Sequence, residues 1–262
     1  MHGGHHDRAG RCAIAIMAKA PDAGRVKTRL SPVLRAEEAR ALSACFLADM
    51  TRMLARAGVD GYVAYAPAGS EASFAPIVAP GTGLVLADGS IEAPTGVAGF
   101  GRCLLQAAQG LFARGYGAVG LLNSDSPNLP AALIAEAARL LAASGDRAVL
   151  GPATDGGYYL LGMKAPHAEL FAHIDWSTER VAAQTRAAAQ RLGLALAEIA
   201  PWYDVDDPAS LKQLVRDLGA DGDAAPSTAE WLYRNGTAAR LAQVEAARPC
   251  FPLSPLAGRG SG

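Results

Sequence analysis

Little in this sequence points to a zinc cluster, a disulfide framework or a membrane. The four cysteines, Cys12, Cys45, Cys103 and Cys250, are scattered with no Cys-x-x-Cys pair. That excludes the common zinc spacings and fits reduced thiols in a cytoplasmic protein. No apolar run approaches the roughly 20 residues that span a bilayer. The opening MHGGHHDRAGR lacks the apolar segment of a signal peptide, so no membrane partner is expected and His2, His5 and His6 read as part of a disordered tail. Charge of one sign is missing too. The formal net charge is −1, whereas nucleic-acid binders usually carry a basic excess, so no nucleic-acid partner is expected. Gly24-Arg25-Val26-Lys27-Thr28 is not a Walker loop, and Gly24 stands alone where a dinucleotide fingerprint needs three glycines. No Gly-x-Ser-x-Gly elbow and no His-Glu-x-x-His is found. Kinase, dehydrogenase and hydrolase readings all lose ground.

What is present is the pattern of a layered α/β protein. Half of the 262 residues are hydrophobic, enough for one large buried core. Short apolar runs bounded by Gly, Pro or Asp occur at 12–17, 62–65, 84–86, 118–122, 148–150, 158–161 and 194–199, which suits strands buried on both faces. Helical spacing links Leu42, Phe46, Met50 and Met53, with Gly58 as a stop, and Leu133, Ala137, Leu140 and Leu141 before Gly145. Ser177 is expected to cap a helix with Glu179 in its first turn, ending near Gly193. Asp207 and Pro208 open another, with Leu211, Leu214, Val215 and Leu218 on one face and Gly219 after it. The alternation predicts an α/β fold, a three-layer α/β/α, mostly parallel sheet. We expect a disordered tail over 1–11, one domain over 12–219 and a C-terminal appendage over 220–262, partly helical or disordered. In such sheets ligands bind beyond the carboxyl ends of the strands.

Four segments carry residues suited to chemistry. "MAKAPDAGRVKTRL", residues 17–30, places Lys19, Arg25, Lys27 and Arg29 on a glycine-containing loop after the first strand. That is what an anionic group such as a nucleotide phosphate requires, and equally what a solvated loop carries. "LLNSDSPNLP" puts Asp125 just past a strand, as a cation ligand or a turn aspartate. In "WYDVDDPASL", Asp207 has a structural task as helix cap. Asp206, or less readily Asp204, can join Asp125 around one Mg²⁺ or Mn²⁺, with phosphate oxygens and water completing the shell. "GPATDGGYYLLG" offers Asp155 as a general base or an acceptor for sugar hydroxyls, or as part of an Asp-Gly turn.

Together with "WSTERVAAQT", these segments resemble a bacterial family of the nucleotide-diphospho-sugar transferase superfamily, described as A-type-fold glycosyltransferases and as selenodomain- or arsenosugar-associated transferases. The resemblance spans roughly residues 12–218. The first motif also resembles the guanylyltransferase that activates phospholactate, and "DVDDP" resembles the ending of molybdenum-cofactor and sugar-acid nucleotidyltransferases. It implies a Rossmann-like sheet with a nucleotide held at the first loop, Lys27 and Arg29 matching the pair that contacts phosphates; the candidate nucleotide-binding residues are Ala18, Lys19, Pro21, Gly24, Arg25, Lys27, Thr28 and Arg29 with Ser124. It also implies a metal on Asp125 and Asp206; with Asp155 added as the candidate acceptor contact or base, Lys27, Asp125 and Asp155 form the candidate catalytic set. One departure is "GFGRCL", where Arg102 and Cys103 stand in place of the family's Glu and Arg. The expected activity is transfer of a sugar from a nucleotide-diphospho-sugar to a small acceptor whose identity the sequence does not give. The alternatives are nucleotidyl transfer from an NTP with release of pyrophosphate, and a nucleotide-binding module without turnover. An oligomer is compatible with all three.

Overall fold

The computed structural model describes residues 8–21, 27–219, 222–237 and 239–241. Residues 1–7, most of the expected tail, and Gly24 and Arg25 of the first loop lie outside them. Every expected apolar run falls on a strand, 194–199 overhanging its strand by one residue at each end: β1 (Cys12–Lys19), β2 (Asp60–Ala66), β3 (Gly83–Leu86), β4 (Ala118–Leu122), β5 (Arg147–Pro152), β6 (Tyr158–Met163) and β7 (Ala195–Glu198). They form one sheet in the order β3-β2-β1-β4-β6-β5-β7. β6 runs antiparallel to β4 and β5, and the remaining pairs are parallel. The exception has a local cause. The Asp155-Gly156-Gly157 link between β5 and β6 is far too short for the crossover a parallel pair needs.

Side chains alternate across the sheet and build two cores. Ala13 and Ala15 of β1 pack on one face with Leu104, Leu105 and Leu111 of α2 (Phe100–Phe112) and Ala182 and Ala188 of α4 (Val181–Arg191). Ile14 and Ile16 pack on the other, with Met50 and Met53 of α1 (Ala36–Arg56) and Ile134 and Leu141 of α3 (Ala131–Ala142). This is the three-layer α/β/α arrangement. The chain leaves β1 outward to β2 and β3 but leaves β4 toward the other edge, so the sheet's switch point lies between these two strands. Ile16 pairs with Leu122, so the loop after β1 and the loop opening at Asn123 emerge side by side.

Two helix starts show how local chemistry and tertiary context share control. Asp207 caps α5 (Pro208–Leu218), its carboxylate accepting the Ser210 N–H at 2.8 Å with Pro208 in the first turn. The expected Ser177 cap is not formed. Ser177 has φ 65, outside the extended backbone an N-cap uses, and the helix begins at Val181 after Arg180, leaving Glu179 ahead of it. The cause lies across the site, where Gly156 abuts this segment. A Cβ on Gly156 would meet the Glu179 carbonyl oxygen at 2.2 Å, and the Gly156 carbonyl accepts from Ala182 N at 3.0 Å.

Within the C-terminal stretch, α6 (Pro226–Arg234) packs on α1. Asp49, fully buried in α1, accepts the first-turn N–H groups of Ser227 at 3.0 Å and Thr228 at 2.8 Å. A third apolar cluster joins Leu30, Val33 and Phe46 to Tyr203 and Val205, to Leu211 and Leu214 of α5 and to Leu232 and Leu241. Among the described residues no helix is long and apolar enough to cross a membrane.

Candidate functional site

Three sequence-selected groups meet at the switch point. Lys27 Nζ donates to Asp125 Oδ1 at 2.6 Å and to the Val205 carbonyl at 2.8 Å, and lies 3.6 Å from Asp206 Oδ1. The Lys27 side chain is only 5% exposed, whereas Asp125 and Asp206 are 34% and 43% exposed. The ammonium sits 5.0 Å from the centre of the Phe46 ring, a favourable seat for a cation. Burial first, and then the nearby Asp125 charge, push the Asp206 carboxyl above its ordinary value, and Lys27 and Arg29 oppose the rise. The donor set fits a hard divalent ion, since Asp125 and Asp206 offer two half-open carboxylates around one point. Among the described residues no group of three or more His, Cys, Asp or Glu side chains forms a metal cluster. An ion on Asp125 and Asp206 therefore needs water or phosphate oxygens for the rest of its shell.

Asp204 does something else. It is largely buried and accepts hydrogen bonds from Asn123 Nδ2 and, at 2.8 Å, from Ser126 Oγ. Ser126 Oγ also lies 3.0 Å from the Tyr203 carbonyl, and Val205 N donates to the Asp125 carbonyl at 2.8 Å. Asn128 and Asp217 share the Tyr203 hydroxyl at 2.8 and 2.6 Å. These bonds lock residues 123–128 against 202–207 and fix where Asp125 and Asp206 point. Burial raises the Asp204 carboxyl to about 7, with the charges of Asp125 and Asp155 adding and the Ser126 and Asn123 bonds opposing. Sequence reasoning weighed Asp204 only as a second-choice ligand. Asn123, Ser126, Phe46 and the Val205 carbonyl it missed.

The other selected residues border this centre. Ala18 and Lys19 end β1 against Tyr65 and Ala66 of β2, with Lys19 exposed. Pro21 begins the loop, and Thr28 and Arg29 lie exposed on a short 3₁₀ turn that follows Lys27. Ser124 Oγ is 3.4 Å from Asp125 Oδ1. Asp155 is exposed at the β5–β6 turn, where its Oδ1 accepts from Gly157 N at 2.9 Å, and its charge reaches Asp204. Arg102 faces the preceding loop, donating to the Ile91 carbonyl, while Gln106 accepts from Gly89 N at 2.7 Å. Arg102, one of the two residues standing where the family pattern differs, thus joins Gln106 in holding the 88–91 loop onto α2. Trp176 packs edge-to-face on the 47%-exposed Phe100, ring centres 5.6 Å apart.

Residues 49–178 match a family described as an uncharacterized protein conserved in bacteria (DUF2064). The matched span includes Asp125 and Asp155 but neither Lys27 nor Asp206. In structure, the chain is similar to a candidate nucleotide-diphospho-sugar transferase from Desulfovibrio desulfuricans G20, with 29% identity and a TM-score of 0.74 over 89% of this chain and 97% of that one. CMP:2-keto-3-deoxy-manno-octonic acid synthetase complexed with CTP aligns at 12% identity and a TM-score of 0.48, over 80% of this chain and 98% of that one. A manganese complex from Mycobacterium tuberculosis H37Rv aligns at 15% and 0.40, over 79% and 98%. At those values neither bears on function. No curated protein matches the chain.

Proposed function

We propose that the chain is a metal-dependent transferase that takes a nucleotide-diphospho-sugar as donor and passes the sugar to a small acceptor. The observation that carries this is the convergence of Lys27, Asp125 and Asp206 at the switch between β1 and β4, the place where such sheets hold nucleotides. The likeness to the Desulfovibrio protein supports the donor class. Lys27, with Lys19, Gly24, Arg25, Thr28 and Arg29, meets the diphosphate; Ala18, Pro21 and Ser124 line the same edge. Asp125 and Asp206 would hold Mg²⁺ or Mn²⁺, and the bound ion would supply electrostatic stabilisation for the departing nucleoside diphosphate. The Asp204 network holds those carboxylates in place beforehand, so little reorganisation is needed as charge develops. Asp155, at the turn facing the same edge, contacts the acceptor.

A second reading, nucleotidyl transfer from an NTP, is favoured by one feature: two carboxylates rather than one face the phosphate-binding lysine. A melting-temperature screen against NTPs and nucleotide-sugars, each with and without Mn²⁺, separates the two. A Mn²⁺-dependent rise with one nucleotide-sugar supports sugar transfer and names the donor. A rise with an NTP only, together with pyrophosphate release, moves the assignment to nucleotidyl transfer. No rise with any of them leaves the first loop as solvated surface.

A further inference from the structure

Lys27 and a divalent ion would share the same two carboxylates. The ammonium contacts Asp125 through Oδ1 at 2.6 Å and faces Asp206 through Oδ1 at 3.6 Å, and it is almost wholly buried between them. A dication brought to these carboxylates would stand against a fixed positive charge, a repulsion that a poorly solvated site screens weakly. Lys27 has a second anchor in the Val205 carbonyl and a third in the Phe46 ring, so it does not leave without compensation. Its own backbone is left-handed, φ 48 and ψ 46, a conformation unusual for lysine.

We infer that Lys27 is a built-in counter-ion that keeps the divalent ion out of the free protein and yields the two carboxylates only when a diphosphate draws its ammonium away. The inference rests on the metal-site reading above and adds a regulation to it. Metal and nucleotide bind as a coupled pair, each raising the other's affinity by the same factor. The protein without nucleotide holds its carboxylates neutralised rather than loaded with metal. Free nucleotide-independent metal, and any hydrolysis it would promote, is thereby kept from the site.

The test is Mn²⁺ alone, titrated into wild type, Lys27→Met and Lys27→Met/Asp125→Asn, with free Mn²⁺ followed by electron paramagnetic resonance. Lys27→Met is expected to bind Mn²⁺ roughly ten- to a hundredfold more tightly than wild type, the factor a lost charge-assisted bond corresponds to, while losing turnover. The double variant returns to weak binding. Lys27→Gln, which keeps a donor for the Val205 carbonyl without the charge, moves in the same direction and serves if the Met variant folds poorly. In parallel, Mn²⁺ raises the melting temperature of both single variants more than that of wild type. Equal Mn²⁺ affinity in wild type and both Lys27 variants, abolished by Asp125→Asn, overturns the counter-ion role and leaves the metal site standing. Absence of any Asp125-dependent Mn²⁺ binding in all of them overturns both.

Discussion

Residues 123–128 and 202–207 form one wall of the site and are cross-linked through Asn123, Ser126, Asp204 and the Asp125–Val205 backbone bond. Lys27 and the short 3₁₀ turn that follows it form the facing wall, and the Lys27 ammonium links it to the first. On the reading proposed above, the first wall is a preformed holder of charge, and the second carries a charge that a diphosphate can replace. A transferase that must grip a diphosphate and then release it gains from that division. A rigid wall supplies geometry without reorganisation, and a single replaceable ion pair supplies the response to ligand.

The sharpest way to break the contrast is to remove the carboxylate on which both walls meet. Asp125→Asn is expected to lower turnover by about two to three orders of magnitude, the usual scale for losing one preorganised charged group. Mn²⁺-dependent stabilisation by nucleotide should vanish with it. Circular dichroism should be unchanged, because the side chain is one-third exposed. Steady-state rates and melting curves report both effects.

Next in size is the support beneath the exchangeable loop. Leu30 and Val33 rest on the cluster that α6 closes, and Arg240 donates to the Val33 carbonyl at 3.2 Å while pairing with Glu38. Asp49 fixes α6 by accepting two of its N-terminal N–H groups inside a dry interface. Asp49→Ala should destabilise the protein by about 2 kcal/mol, a buried cap lost together with the Arg52 pairing, read from the urea midpoint. If the loop depends on this support, Lys27-dependent nucleotide binding weakens in the same variant.

The preformed wall is tested by pH in the presence of chelator. The folded-state pKa of Asp204 is raised to about 7 from an ordinary 3.8, chiefly by burial. Between about pH 4 and pH 7 the folded protein therefore holds a proton that the unfolded chain has released. Its contribution to stability is greatest below pH 4, falls as pH rises through that window, and changes no further above pH 7. Asp204→Asn should flatten this slope and gain of order 1–2 kcal/mol at pH 8, because both donors bond Oδ1 and an amide oxygen can still accept them. A slope unchanged by the substitution would assign it to other groups.

Much of this architecture was legible in the sequence, and the misses share a cause. The central strands announced themselves because doubly buried strands need continuous apolar residues, the edge strands β3 and β7 showed as short apolar runs although less buried, and Asp207-Pro208 announced α5 because capping is local chemistry. Ser177 misled because its backbone is set by Gly156 pressing on Glu179, a contact between segments more than 20 residues apart in sequence. Lys27, Asp125 and Asp206 were found by residue type at strand ends. The division of labour between Asp204 and Asp206 was not, because it depends on which carboxylate the 123–128 loop covers. The Val205 carbonyl and the Phe46 ring carry no polar signature at all. Asp49, an acid among Phe46, Met50 and Met53, was the available sign that something docks on α1.

The smallest expected effect concerns the edge of the rigid wall. Asp155 bonds the Gly157 N–H through one oxygen and is exposed, so as a turn residue alone it could be replaced by asparagine at no cost, the amide oxygen taking over the bond. As an acceptor contact it could not, because the charge facing the Asp204 side of the site would be lost. Asp155→Asn is accordingly expected to leave the melting temperature and donor affinity at wild-type values while raising the KM for the acceptor about tenfold, the scale of one exposed charge-assisted contact. An unchanged KM would return Asp155 to the turn. A fall in kcat of a hundredfold or more would instead make it the base that takes the acceptor's proton, and would place the rigid wall in the chemistry as well as in the binding.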